Sequence, residues 1–127
     1  MTDRFLLDTH ALLWSLAEPE RLADDAREAI QNPRHTVLVS TASVWEMAVK
    51  SALGKLAMPP DLDDQLRINR FDVLNIGLAH ARAVQHLPLL HRDPFDRMLV
   101  VQAQLEGVRL ISRDALVQQY DVEWMAA

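Results

Sequence analysis

The stretch "RFLLDTHALLW" (residues 4–14) decides the fold class, because a short apolar run passes directly into a segment of helical period. Its first part, "RFLLD" (4–8), predicts a buried strand, and "HTVLVS" (35–40) predicts a second strand that is also followed by a helical segment. Further strands are predicted at 71–76 and 108–112, with an edge strand at 122–125. Strands that alternate with helices predict an α/β fold, a three-layer α/β/α arrangement with a mostly parallel central sheet.

The helices between these strands are predicted from apolar spacing and from the prolines and glycines that bound them. Pro19 opens a helix over 19–32, and an apolar helix over 41–55 ends at Gly54, with Trp45 in the stripe expected to face the core. A polar helix follows the loop that begins "MPPDLDD". Other helices are predicted at 78–87, at 94–107 and, as a short one, at 113–120.

Composition indicates one soluble domain over residues 1–127, because this length buries a real core without disulfides. The chain has no cysteine, which excludes thiol catalysis and favours a reducing cytoplasm. We expect no membrane contact, since "MTDRFLLD" lacks the apolar region of a signal peptide and no later apolar run is long enough to span a bilayer. The net charge of −5 argues against a simple nucleic-acid binder, but less against an enzyme whose acids surround cations.

Acidic residues follow the predicted strands or open the helices. Asp8 ends the first strand, Asp114 follows the strand at 108–112, and Asp96 lies near the start of the helix at 94–107. Taken singly, each is an acceptable helix-start acid, favoured by roughly 0.3–1 kcal/mol. Because strand-to-helix junctions of a parallel sheet share one edge, we expect these carboxylates to converge, and crowded carboxylates raise a pKa or bind a cation.

Two of the acids lie in "HRDPFDRMLV" (91–100), where helix capping competes with metal binding. Asp93 suits an N-cap, Pro94 suits the first helical position, and Asp96 lies where a capping box places its acid. A further acid, Glu46, is open to a similar alternative. It can form a surface pair with Lys50 four residues later, worth roughly 0.2–0.5 kcal/mol.

Four segments, "LLDTHALLW", "SVWEMAVKSALGKL", "HRDPFDRMLVVQAQLEG" and "LISRDA", occur in an order and spacing that resemble PIN-domain ribonucleases. Within this family, the segments resemble the VapC toxins of bacterial toxin–antitoxin pairs. The resemblance covers nearly the whole chain. It implies a PIN-like fold, a metal-dependent endoribonuclease that hydrolyses RNA phosphodiester bonds, a homodimer, and a cognate antitoxin protein that covers the active-site groove.

The resemblance also implies roles for individual residues. Asp8, Glu46, Asp96 and Asp114 match the acidic quartet that is catalytic and binds Mg²⁺ or Mn²⁺. In a supporting role, Thr9 and Ser112 match hydroxyl positions that orient ligands or water, and Asp93 matches an extra acid better suited to a cap. For the two acids of "HRDPFDRMLV", the resemblance therefore implies different roles: Asp93 caps the helix and Asp96 binds metal.

The implied reaction needs an activated water and stabilised phosphoryl charge, which oxygen-ligated divalent ions supply. The hypothesis is hydrolysis that leaves a 5′-phosphate and a 3′-hydroxyl. Arg97 and Arg113, as neighbours of proposed ligands, are the expected phosphate contacts, ahead of Arg92 and Lys50. The segment "ALLWSLA" is apolar almost all round and is expected to contribute to the dimer or antitoxin interface.

Three other interpretations compete with these. His80, His86 and His91 invite a zinc site, but their spacing is not that of paired ligands, so we expect ordinary surface or core histidines. A phosphoaspartyl phosphatase or dehalogenase-like enzyme would use Asp8 as nucleophile, although the usual second acid two residues later is His10. A non-enzymatic acidic interaction domain would use the aspartates only as helix caps.

Overall fold

The computed structural model describes residues 3–127. In this range the strands are β1 (Arg4–Leu7), β2 (Thr36–Ser40), β3 (Phe71–Leu74), β4 (Arg109–Ile111) and β5 (Trp124–Met125). The α-helices are α1 (Thr9–Ala17), α2 (Asp24–Gln31), α3 (Thr41–Ala52), α4 (Leu62–Ile68), α5 (Leu78–Ala83) and α6 (Pro94–Glu106). Short 3-10 helices span Pro19–Arg21, Val84–His86 and Val117–Gln119.

The five strands form one parallel sheet in the order β3-β2-β1-β4-β5. At the centre, Phe5 of β1 pairs with Val37 of β2 on one side and with Arg109 of β4 on the other. The chain therefore builds the sheet outward from β1 in one direction and then returns to build it in the other. This reversal between β1 and β4 is the point at which open α/β sheets form a ligand crevice.

Helices cover both faces of the sheet, because successive residues of each central strand point to opposite sides. Phe5 and Leu7 pack against α1, α2 and α4, whereas Leu6 packs against α6 and the loops beside it. Both clusters consist of side chains with almost no solvent exposure. The predicted three-layer α/β/α fold is confirmed, and all its strand pairings are parallel rather than most of them.

Helix ends follow local chemistry. The Asp93 side chain accepts from the amides of Phe95 and Asp96 to cap α6, and Pro94 occupies the first turn, as predicted. Gly107 ends that helix with a left-handed φ of 65°, and Gly54 follows α3 with a φ of 73°. Both glycine-terminated ends agree with the sequence prediction.

The predicted helix over 19–32 is wrong in its first part. Leu22 and Ala23 adopt extended backbone between the 3-10 helix and α2, with ψ values of 146° and 149°. The extended pair places the Leu22 side chain in the core. The helix predicted over 78–87 likewise ends its α-helical part at Ala83, and the one predicted over 113–120 is only the 3-10 helix Val117–Gln119.

The expectation that Trp45 lies in the core is also wrong. Its side chain on α3 is 57% exposed and packs edge-to-face on Phe95, with ring centroids 4.9 Å apart. The buried side of α3 is instead formed by Ala42, Ser43, Glu46 and Met47. The helix is thus rotated so that a carboxylate faces inward and a tryptophan faces outward, which apolar spacing alone does not predict. No helix within residues 3–127 is long and apolar enough to cross a membrane.

Candidate active site

A cleft of about 410 Å³ opens at the carboxyl edge of the sheet, beside the reversal between β1 and β4. The four predicted quartet acids all line it: Asp8, Glu46, Asp96 and Asp114. They come from four different places in the fold, namely the end of β1, the middle of α3, the first turn of α6 and the loop after β4. The sheet topology therefore produces the convergence that was predicted from the sequence.

Asp8 is buried at the end of β1, where its Oδ1 accepts a hydrogen bond of 2.8 Å from the Ala11 amide and so caps α1. Burial raises the pKa of this carboxyl group, although hydrogen bonds from the Ala11 amide and the Ser112 hydroxyl act in the opposite direction. Capping and membership of the acidic cluster thus coexist in one side chain. Because the pKa of Asp8 is raised overall, a cation bound nearby would stabilise its ionised form.

Glu46 is also buried, with 4% exposure, and its two oxygens have different partners. The Thr9 hydroxyl donates to Oε1 at 2.5 Å, and Lys50 Nζ lies 2.5 Å from Oε2. The i,i+4 pair with Lys50 exists, but the interpretation of it as a surface pair is wrong because the carboxylate faces the cleft. The pair raises the pKa of Lys50, so the ammonium stays charged.

Asp96 does not complete the capping box that its position suggests. In a capping box the Asp93 amide would donate a hydrogen bond to the Asp96 side chain. It donates instead to His91 Nδ1, at 3.1 Å. The Asp96 carboxylate instead turns into the cleft, where burial, followed by repulsion from Asp93, raises its pKa to about 7. Of the two acids in "HRDPFDRMLV", only Asp93 acts as a cap.

Asp114 lies at the more open side of the cleft. Its Oδ1 accepts from the amides of Leu116 and Val117, and its own amide donates to the Ser112 hydroxyl at 3.1 Å. Partial burial raises the pKa of Asp114, but the hydrogen bonds from Val117, His91 and Leu116 outweigh that effect and the pKa lies below its usual value. A carboxyl group with a lowered pKa, Asp114, thus lies in the same cleft as two with raised pKa values, Asp8 and Asp96.

His91 is the residue that sequence reasoning missed. Its Nε2 lies 3.0 Å from an oxygen of Asp96 and 3.1 Å from an oxygen of Asp114, and the ring is mostly buried. The three side chains form a compact group with one potential metal-binding atom each. The sequence contains one signal for this role: His91 lies two residues before the N-cap Asp93, and from that position an imidazole can accept a hydrogen bond from the N-cap amide.

Arg97, which was expected to contact a substrate phosphate, contacts groups of the protein itself. Its guanidinium donates to the carbonyls of Val84, Leu87, Pro88 and His91 and to the Tyr120 hydroxyl, at 3.0–3.3 Å. It does not belong to the cleft lining, which the described residues form without it. Arg97 therefore fastens the loop in front of α6, and this geometry removes our reason for expecting it to bind substrate.

Arg113 does line the cleft, together with Lys50. Its guanidinium lies 4.3 Å from the centre of the Trp14 ring and donates to the carbonyls of Ala127 and Arg21. Trp14 itself is half-buried and packs against the core. The apolar character of "ALLWSLA" is thus explained largely by packing within this chain, with Ala11 and Leu12 fully buried.

The donor set suits a hard divalent cation. Four carboxylates face one cleft, no thiol is present in the chain, and two of the carboxyl groups have raised pKa values that a nearby cation would lower. Magnesium and manganese prefer such oxygen ligands. The residues present therefore fit a divalent metal site.

Residues 5–123 match the family model described as the PIN domain. The chain belongs to the PIN domain family. This PIN domain is similar to Ribonuclease VapC22 of Mycobacterium tuberculosis (strain ATCC 25618 / H37Rv), with 26% identity over 118 residues that cover 91% of the chain and 90% of the relative. The family resemblance inferred from the four sequence segments is confirmed.

Solved structures share the fold of this PIN domain. VapBC2 from Rickettsia felis, bound to a DNA fragment from its promoter, matches with a TM-score of 0.71 and 12% identity, over 98% of each chain. DNA-bound VapBC from Salmonella typhimurium matches with a TM-score of 0.63 and 14% identity, again over 98% of each. A domain of a functionally unknown protein from Methanocaldococcus jannaschii DSM 2661 matches with a TM-score of 0.61, 15% identity and coverage of 98% and 91%.

Proposed function

We propose that this PIN domain is an endoribonuclease that depends on Mg²⁺ or Mn²⁺ and serves as the toxin of a VapC-like toxin–antitoxin pair. The observation that carries the proposal is the convergence of Asp8, Glu46, Asp96 and Asp114 on one cleft. The name of the relative, Ribonuclease VapC22, supports RNA as the substrate class. The family of the chain and the chemistry of the cleft thus point to the same reaction.

The four carboxylates are the proposed metal ligands and catalytic groups. A divalent ion held by them supplies charge neutralisation at the phosphate and a more acidic water. The Thr9 hydroxyl fixes Glu46 by donating to Oε1, and the Ser112 hydroxyl accepts the Asp114 amide and opposes the raised pKa of Asp8. These two hydroxyl groups therefore orient the acids, as the resemblance implies.

Lys50 and Arg113 are the proposed phosphate contacts. Both line the cleft and both are partly exposed at its rim, so they can offset the repulsion between RNA and a chain of net charge −5. Lys50 is bonded to Glu46, which places its ammonium beside the acids rather than in bulk solvent. This pair replaces the expected pair of Arg97 and Arg113.

The proposed partners are an antitoxin protein and a second copy of the chain, in the cytoplasm. Support for the antitoxin comes from the matched structures from Rickettsia felis and Salmonella typhimurium, which are VapBC complexes. Trp14 at the cleft rim is a candidate antitoxin contact. Co-expression with a neighbouring antitoxin gene, followed by sedimentation of the complex with wild-type and Trp14→Asp chains, tests both partners; unchanged affinity and unchanged dimerisation in a folded variant would remove Trp14 from the interface.

The test of the activity is cleavage of a mixed RNA pool by purified, antitoxin-free protein with Mn²⁺ or Mg²⁺. Chelator and Asp96→Asn are the negative controls, and Asp121→Asn, an exposed acid remote from the cleft lining, is the matched control. We expect cleavage that survives only in the wild type and Asp121→Asn, with 5′-phosphate and 3′-hydroxyl ends. A 2′,3′-cyclic phosphate product, or cleavage that survives Asp96→Asn, would contradict the proposal.

The rival functions make different predictions in the same material. A phosphoaspartyl enzyme would form a covalent phosphoryl-aspartate at Asp8, which acid quench and mass spectrometry would detect. In the structure Oδ1 of Asp8 is used to cap α1, which disfavours its use as a nucleophile. An interaction domain that used its acids only as caps would lose stability, or barely change it, when Asp8 and Asp96 are both replaced by asparagine.

A further inference from the structure

His91 connects the two outer acids of the cleft. Its Nε2 lies 3.0 Å from Asp96, which belongs to α6, and 3.1 Å from Asp114, which follows β4. The ring is mostly buried between these elements. One imidazole nitrogen thus lies against two carboxylates that come from different elements, the helix α6 and the loop after β4.

The hydrogen bond at the other ring nitrogen defines the tautomer. A backbone amide can only donate, so the Asp93 amide, 3.1 Å from Nδ1, requires an unprotonated Nδ1 with a free lone pair. The ring proton must then lie on Nε2, which becomes the donor to Asp114, while an oxygen of Asp96 lies 3.0 Å from the same nitrogen. A ring in this state has no lone pair at Nε2 to offer a metal ion.

The backbone around His91 holds this geometry in place. The Tyr120 hydroxyl accepts from the His91 amide at 2.8 Å and from the Leu90 amide at 3.1 Å, and it donates to the Pro88 carbonyl at 2.7 Å. Arg97 donates to the His91 carbonyl and to the same Tyr120 hydroxyl. The imidazole is therefore presented to the acids by a loop whose polar groups are already paired, rather than by a free side chain.

We propose that His91 is a positioning residue of the metal site: it donates a hydrogen bond through Nε2 to Asp114, lies in contact with Asp96, and holds both carboxylates toward a common divalent ion without ligating that ion. The inference rests on the proposed metal-dependent function. Groups that orient ligands in this way typically change metal affinity by roughly 10–100-fold when they are removed. A direct imidazole ligand would act differently, because imidazole contributes more to Mn²⁺ than to Mg²⁺.

Three substitutions separate the two hydrogen bonds of the ring. His91→Gln keeps an N–H donor near the Nε2 position but loses the acceptor for the Asp93 amide. His91→Asn keeps an acceptor near the Nδ1 position but cannot reach the acids, and His91→Ala loses both. His86→Ala, which removes an exposed histidine from the same segment of chain, is the matched control.

The measurement is calorimetric titration of each protein, without RNA, with Mn²⁺ and with Mg²⁺, beside urea unfolding to confirm that each variant is folded. We expect His91→Ala and His91→Asn to weaken the binding of both ions by the same factor, roughly 10–100-fold. His91→Gln is expected to retain most of the wild-type affinity. His86→Ala leaves both affinities unchanged. Electron spin-echo spectra of the Mn²⁺-loaded wild type, which need no variant, are expected to show no directly bound nitrogen.

Each contrary result overturns a specific part of the inference. A larger loss for Mn²⁺ than for Mg²⁺, or a directly bound nitrogen in the spectra, would make His91 a ligand. Tighter binding by His91→Ala would make the imidazole a competitor of the ion, and unchanged binding would remove it from the site. If the wild type binds neither ion, the proposed metal dependence fails together with this inference, whereas binding without RNA cleavage contradicts the nuclease proposal alone.

Discussion

Replacing Asp96 by asparagine is expected to stabilise the metal-free protein above about pH 7, although the substitution removes a proposed metal ligand. The pKa of Asp96 is raised to about 7 in the folded chain, against a usual value of 3.8, because the carboxylate is buried and lies near Asp93. Folding therefore favours the protonated form of this group. At neutral pH and above, the folded wild type carries the cost of an ionised Asp96 that the unfolded chain does not.

The sign of the pH dependence follows from linkage. Below about pH 4 both states hold the proton and Asp96 contributes its full stability. Between about pH 4 and pH 7 the unfolded state has released the proton while the folded state retains it, so the free energy of unfolding falls as the pH rises. Above about pH 7 the loss is complete, and the asparagine variant, which does not titrate, shows none of it.

The size of the effect can be bounded from the same values. The interval between 3.8 and about 7 corresponds to roughly 4 kcal/mol at 1.36 kcal/mol per pH unit. The side chain keeps 20% exposure, so solvent screens part of the repulsion, and we expect a gain of about 1–2 kcal/mol for Asp96→Asn near pH 8. The gain shrinks toward zero near pH 4.

The assay is urea unfolding of the wild type, Asp96→Asn and Asp121→Asn, in chelator and in excess Mn²⁺, at about pH 5 and pH 8. Mn²⁺ is expected to stabilise the wild type more than Asp96→Asn, because a ligand that binds the folded state adds RT ln(1 + [L]/Kd) to the free energy of unfolding, which is larger for the tighter site. Asp121→Asn, an exposed acid, is expected to follow the wild type. A loss of stability in chelator at pH 8 for Asp96→Asn would refute the reasoning and favour a capping role for Asp96.

Three further outcomes are expected. Arg97→Met lowers the free energy of unfolding by about 2–4 kcal/mol, since four carbonyls lose a charged donor, and a shift in RNA affinity without loss of stability would contradict this. Lys50→Met reduces the slope of log K against log salt for single-stranded RNA by about 0.7, measured by fluorescence anisotropy, and an unchanged slope would remove that phosphate contact. Trp45→Ala costs less than about 1.5 kcal/mol in urea unfolding whereas Met47→Ala costs about 2–5, and equal losses would mean that Trp45 is buried.

The fold and the convergence of Asp8, Asp96 and Asp114 could be predicted because their signals are local, whereas Glu46 was assigned only through the family resemblance. Runs such as "RFLLD" and "HTVLVS" are apolar on both faces, which is typical of a parallel strand covered by helices, and both are strands. Once the strands are parallel, the junctions after them must share one edge, so Asp8 and Asp114 were expected to lie together before any coordinates were known. The structure places both in the cleft.

The failures concern features that depend on the rest of the molecule. The elements that pack against α3 decide which face of the helix is buried. Glu46 therefore faces inward and Trp45 outward, although tryptophan is the more hydrophobic side chain. The contacts of His91 and Arg97 depend on the path of the loop between Leu87 and Pro94, which no periodicity describes. Arg97, which is adjacent to the proposed ligand Asp96, was interpreted as a substrate contact, whereas its guanidinium donates to four backbone carbonyls between Val84 and His91 and to the Tyr120 hydroxyl.

The pairing of Phe5 with Arg109 also has a consequence during synthesis on the ribosome. The strand β1, at the centre of the sheet, is translated before both of its neighbours, and β4 follows only after β2, β3 and the helices between them. Parallel pairings of such long sequence separation form late in folding. Asp8 therefore meets Asp114 only after β4 has been translated, so the proposed set of four acids is incomplete in a nascent chain that has not yet extended that far.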